Sequence, residues 1–148
     1  MTTRIAQEHL DAWRQLLNVH ARLIDRVERA LADAGLPQLA WYDVLWALER
    51  TPGKTLRMGE LAEAVTISRS GLTRLVDRIE AEGYLERRPA AGDRRATDVA
   101  ITSAGTKLLR RMWPVYERVL RETLETNLTK GEAVAVRKAL SKISENSS

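Results

Sequence analysis

The sequence predicts a mainly α-helical chain with one small β-hairpin, an α+β arrangement in which long helices flank a compact middle section. Three observations carry that reading. Apolar residues recur at spacings of three and four over most of the 148 residues, period-two alternation is confined to residues 98–101, and turn residues fall between these patterns. A hydrophobic share of 44% suffices for a core, and no run is long or pure enough to span a bilayer.

A first helix is expected over residues 5–34. Leu10, Trp13, Leu17, His20, Ile24, Val27 and Leu31 form a heptad-like seam, which Gly35 and Pro37 end. Leu16 and Leu23 widen that face, so the helix needs a partner, either the C-terminal helices or a second subunit. His20 in the seam reads as a packed, hydrogen-bonded histidine or as a ligand contact. A second helix over 36–50 presents Trp41, Val44, Leu45, Ala47 and Leu48 inward, with Tyr42 and Trp46 on neighbouring edges. Thr51-Pro52-Gly53-Lys54 then turns the chain, and Leu56 adds a short strand to the hairpin.

Residues 58–65 read as a short helix with Leu61, Ala62 and Val65 inward, and Thr66-Ile67 is a tight connection. The next helix has Ser68 as N-cap, a buried stripe of Leu72, Leu75, Val76 and Ile79, and Gly83 as a left-handed end. Ser70, Thr73, Arg74 and Asp77 lie on the opposite face, with Arg69 and Arg78 towards its edges. A hairpin follows: 85–88 extended, Pro89-Ala90-Ala91-Gly92-Asp93 turning, 98–101 returning, and Arg94 and Arg95 at the tip. Short helix, tight turn, longer polar helix and arginine-tipped hairpin make a winged helix-turn-helix, whose helix fits a DNA major groove. The alternative is a solvated helix face beside an ordinary charged hairpin.

Thr102 caps a third long helix over 103–126, with Leu108, Leu109, Met112, Trp113, Tyr116, Val119, Leu120 and Leu124 apolar. Pro114 lies inside it and predicts a kink near residues 109–111. Thr129-Lys130-Gly131-Glu132 has the spacing of a capping box and starts a last helix that packs through Val134 or Ala133, Val136, Leu140 and Ile143. Residues 144–148 are expected to fray. The domain division that follows is a helical region, 1–35 and 103–148, which the resemblance given below makes a dimerisation region, around a DNA-binding domain, 36–102.

The net charge of +4 favours a polyanionic partner. There is no cysteine, which excludes disulfides, thiol redox sensing and cysteine metal sites. Both histidines, His9 and His20, lie on one helix and no nucleophile motif accompanies them, so neither an enzyme, a metal site nor a cofactor is expected. The N-terminus lacks the pattern of a signal peptide, so a cytoplasmic protein with no membrane partner is expected.

In this order and spacing, three segments resemble the MarR family of bacterial transcriptional regulators. Leu56-Arg57-Met58-Gly59-Glu60-Leu61-Ala62 resembles the family's entry into its helix-turn-helix. Ser68-Arg69-Ser70-Gly71-Leu72-Thr73-Arg74-Leu75-Val76-Asp77-Arg78, followed by Gly83-Tyr84-Leu85, is similar to its recognition helix and exit. Asp93-Arg94-Arg95 with Ile101-Thr102 resembles its wing pattern, with isoleucine where leucine is usual. The resemblance implies a homodimer binding double-stranded DNA, a repressor on a pseudo-palindromic operator. It implies Arg95 in the minor groove, Asp93 orienting it through a salt bridge, and Ser68, Ser70, Thr73 and Arg74 as recognition-helix contacts.

Physical reasoning about these positions agrees with that assignment. Arg74 can bond guanine bidentately, while Arg78, Arg87 and Arg88 suit phosphates. Asp77 would repel phosphate and reads better as a partner of Arg74 or Arg78; Arg94 reads equally as a solvated neighbour of Arg95. The resemblance also implies release by a small aromatic effector, for which Trp13, His20, Tyr42, Asp43, Trp46, Trp113 and Tyr116 are candidates, the alternative being core aromatics. A winged helix that serves as a protein-interaction module is the competing function, and arginines at the hairpin tip argue against it.

Overall fold

The computed structural model describes residues 4–66 and 69–146. Its elements are α1 (Gln7–Asp33), α2 (Leu39–Glu49), β1 (Thr55–Arg57), α3 (Met58–Ala64), α4 (Arg69–Ala81), β2 (Leu85–Ala90), β3 (Asp93–Ile101), α5 (Ser103–Leu120) and α6 (Lys130–Glu145). The chain divides into two compact units, Leu31–Val115 and the pair Met1–Ala30 with Tyr116–Ser148.

In the Leu31–Val115 unit the core forms around α2, whose Val44, Leu45 and Leu48 are fully buried, and which packs against α3, α4, β1 and β3. The helix starts three residues later than its sequence pattern suggests. Gln38, after Pro37, has φ −58° and ψ 151° and serves as N-cap. The predicted stripe of α4 is buried as a whole: Leu72, Leu75, Val76 and Ile79. Gly35 and Gly83 end α1 and α4 in the same way, each at positive φ. Leu36 N–H reaches Leu31 O at 2.9 Å, and Tyr84 N–H reaches Ile79 O at 3.2 Å, so each turn closes back on a carbonyl of the helix's last turn.

The sheet is antiparallel in the order β1-β3-β2. Leu56 joins the hairpin as a short strand, as the sequence suggested, pairing with Val99, and Leu85 pairs with Ile101. The hairpin differs from its expected form. Both strands are longer, and the turn shrinks to Ala91-Gly92, with Gly92 at positive φ. The register then steps from Pro89–Thr97 to Ala90–Asp93, which loops Arg94, Arg95 and Ala96 out of the ladder. The two arginines therefore stand on a bulge of β3 and not in the turn itself.

A tight junction ties the root of this hairpin to α5. Thr102 N–H donates to Tyr84 O at 3.1 Å, Thr102 Oγ1 donates to Gly83 O at 2.7 Å, and Gly105 N–H donates to Thr102 Oγ1 at 3.1 Å. Thr102 is thus the expected cap and also a strap across the exit of α4.

Helix α5 runs unbroken across Pro114; in the other unit, which it enters at Tyr116, the departure from α geometry comes in a π turn, Arg121–Glu125. Thr126 N–H bonds Arg121 O at 3.1 Å, and the Thr123 hydroxyl takes Val119 O at 2.6 Å. Threonine hydroxyls competing for main-chain carbonyls loosen the helix here, rather than the proline before it. The capping box of α6 forms as expected: Thr129 N–H donates to Glu132 Oε2 at 2.8 Å, and Glu132 N–H to Thr129 Oγ1 at 3.2 Å. Helix α6 continues to Glu145, past the start of the stretch 144–148 that was expected to fray. Arg26 and Glu122 form an ion pair at 3.2 Å. Trp13 is 55% exposed and Ile143 61%, with Leu17, Val136 and Leu140 also on the surface. His20 is exposed in the single chain, not packed.

Candidate nucleic-acid interface

The outward face of α4 carries Ser70, Thr73, Arg74, Asp77 and Arg78, all exposed because the opposite face supplies the core. Ser68, expected as N-cap and contact residue, lies outside the described residues, as does the side chain of Arg69. Among the described residues no carboxylate pairs with Arg74, Arg78, Arg94 or Arg95. Those four guanidinium groups retain their full charge and donor set for a partner.

Asp93 does not act through the ion pair expected of it. Its Oδ1 accepts the Arg95 main-chain N–H at 2.9 Å, and no Asp93–Arg95 side-chain pair forms among the described residues. The aspartate shapes the bulge backbone, a local turn that a carboxylate two residues before an amide makes readily. The Arg95 guanidinium stays free to reach outward.

Asp77 differs as well. It pairs with Arg87, at 2.5 Å to Nη2, and not with Arg74 or Arg78. Arg87 is itself no open cation: its Nε and Nη2 donate to Glu80 Oε1 at 3.1 and 2.9 Å, and its main-chain N–H donates to Glu80 Oε2 at 2.7 Å. These bonds hold the Glu80 carboxyl below the usual carboxylate range despite partial burial, and Glu80 with Asp77 raises Arg87 further. Arg88 is also engaged, with Glu86 two residues away on the same strand face. Of the three arginines expected to suit phosphates, only Arg78 is left without a carboxylate among the described residues. Sequence reasoning overlooked Glu80; an acidic pair at i and i+3 near the end of α4, followed by a strand with arginines, was the available signal.

The aromatic candidates separate. Tyr42 is buried and lies between two half-exposed rings, stacking on Trp46 at 6.4 Å and 15° and on Trp113 at 6.1 Å and 23°. Asp43 lies with Trp46, Arg50 and Thr66 along a separate depression of about 250 Å³. Trp13, His20 and Tyr116 belong to the other unit. Among the described residues no group of acidic or histidine side chains could hold a metal ion, and no helix is long and apolar enough to cross a membrane.

Comparison with known proteins places this geometry. A MarR family model matches residues 34–96. The regulator YfiV of Bacillus subtilis (strain 168) is 30% identical over 142 residues, covering 95% of this chain and 85% of that protein. The transcriptional repressor MprA of Escherichia coli (strain K12) is 26% identical over 109 residues; the match covers 74% of this chain but only 61% of that protein. Among solved structures, the MarR family regulator Sco3205 of Streptomyces coelicolor, in complex with DNA, aligns with a TM-score of 0.88 at 29% identity, over 98% of this chain and 91% of that one.

Proposed function

The chain belongs to the MarR family, and from that premise we propose that it is a homodimeric, sequence-specific DNA-binding transcriptional regulator, a repressor on a pseudo-palindromic operator. The observation that carries the proposal is the pairing of the outward face of α4, bearing Arg74, with the looped-out Arg94 and Arg95 of β3, all free of carboxylates among the described residues. A helix in the major groove reads base edges, and an arginine on a projecting hairpin reads the narrow minor groove beside it. Sco3205, at 29% identity, was crystallised with DNA, and MprA is a repressor. Such a role puts the protein in the cytoplasm, beside the DNA.

The dimer is supported by the apolar surface of α1 and α6. Trp13, Leu17, Val136 and Ile143 are all exposed on a single chain, and large apolar side chains gathered on helix surfaces mark an interaction face. Two chains related by a two-fold axis would offer two α4 helices to half-sites about one DNA turn apart. Equilibrium sedimentation is expected to give a dimer across the micromolar range and two chains per duplex when DNA is added. A folded monomer at those concentrations contradicts the proposal.

The stacked Trp46–Tyr42–Trp113 rings favour a second element of the proposal, regulation by a small aromatic compound lying against the half-exposed indoles. An aromatic carboxylate is expected to quench tryptophan fluorescence and to weaken DNA binding in parallel. A panel of such compounds that does neither makes the protein a constitutive binder.

A further inference from the structure

We propose that Glu80, Arg87 and Asp77 form a positioning clamp that sets the angle between the wing and the recognition helix, acting on DNA recognition without touching DNA. The inference rests on the DNA-binding reading above.

Strand β2 is an edge of the sheet, so one side of it has no neighbouring strand to take its N–H groups. At Arg87 that need is met by α4 instead: the main-chain N–H goes to one oxygen of Glu80 and the guanidinium to the other. Nη2 adds Asp77, one turn earlier on the same helix. A single residue of β2 is therefore held by backbone and side chain together, by two carboxylates spaced to meet it. The side chains of Arg87 and Glu80 are only 32% and 33% exposed, which limits screening. A forked, charge-assisted arrangement of this kind fixes direction as well as distance.

Its position gives the clamp leverage. Leu85, buried in the core, anchors the root of the strand, and the looped-out arginines stand across from its far end at Pro89 and Ala90. Ala90 lies three residue steps along the strand from Arg87, a lever of roughly 10 Å. A pivot of about 10° at Arg87 would move the tip by about 2 Å, enough to take an arginine out of hydrogen-bond reach. Turning Nε and Nη2 of Arg87 to a phosphate would break its side-chain bonds to Glu80 and Asp77, which makes the clamp its resting role.

The test exploits opposite signs. Glu80→Gln removes a negative charge from a surface facing a polyanion, so electrostatics alone predicts tighter binding. The clamp predicts about tenfold weaker binding to a preferred duplex, the loss expected from one charged contact. In a hydroxyl-radical footprint, protection under the wing should fade while protection under α4 remains. Arg87→Lys, which keeps the charge and loses the fork, should reproduce that footprint with a wild-type melting curve, separating it from a folding defect. The proposal is overturned if Glu80→Gln binds as well as or better than wild type while Arg87→Ala lowers the salt slope by about one, the signature of a lost phosphate contact. Wild-type protein that binds no duplex defeats the DNA-binding reading instead. Amide exchange then decides the clamp without DNA: β2–β3 amides should exchange faster in Glu80→Gln, and unchanged exchange rejects it.

Discussion

Gly105→Ala is expected to cost roughly 3 kcal/mol of stability, at the upper end of what a single added methyl does in a packed site. A Cβ at this position would lie 2.1 Å from the carbonyl oxygen of Tyr84 and 2.7 Å from Cγ1 of Ile101. The first obstacle is backbone, and it cannot rotate away: the same carbonyl accepts the Thr102 N–H, and the Thr102 hydroxyl straps the neighbouring Gly83. Relief must come from shifting the exit of α4 away from the first turn of α5. In thermal unfolding the variant should melt roughly 6–12 °C below wild type. Gly131→Ala is the control, since its nearest neighbour stands 4.0 Å away and alanine favours a helix. It should be neutral or stabilising. Equal melting of wild type and Gly105→Ala would mean that α5 does not approach Tyr84 this closely.

The largest effects on recognition are expected at Arg74 and Arg95. Arg74→Ala should lose ~1–3 kcal/mol per half-site on the preferred duplex and relax specificity at one base pair in each, because a bidentate base contact disappears. Arg95→Ala should weaken binding more evenly across sequences, because an arginine in the minor groove reads width and potential more than base identity. Asp93→Ala should act as a milder Arg95→Ala. Its carboxylate holds the Arg95 main-chain N–H, so its loss loosens the bulge while leaving the guanidinium in place. Affinities for preferred and scrambled duplexes at two salt concentrations check all three. If Arg74→Ala weakens both duplexes equally and Arg95→Ala alone alters base preference, the two roles are reversed.

How much of this was legible in the sequence depended on the range of the interaction. The α4 stripe, the helix stop at Gly35, the left-handed end at Gly83 and the capping box of α6 are local patterns, and each formed as read. The hairpin was misjudged through Pro89. Composition put it in the turn, yet it sits in β2, an edge strand, where a missing N–H breaks no ladder on the open side. The bulge at Arg94 and Arg95 depends on cross-strand register, which no single-strand pattern encodes. Arg87 looked like one more surface cation because its carboxylate partners lie on another element, seven and ten residues away. Pro114 predicts a kink near residues 109–111, whereas α5 stays continuous there and leaves α geometry further on, at Arg121–Glu125. What the sequence conceals at this site is which charges are already spent on one another.

The central claim is that two copies of this chain read a specific duplex through α4 and the wing. Selection of bound sites from a random duplex pool, with the intact protein at near-physiological salt, tests it most directly. The predicted result is a pseudo-palindrome with half-sites about 10 base pairs apart, centre to centre, and an affinity that falls steeply as salt rises. Enrichment of no sequence, or of one asymmetric site bound by a single chain, would contradict it.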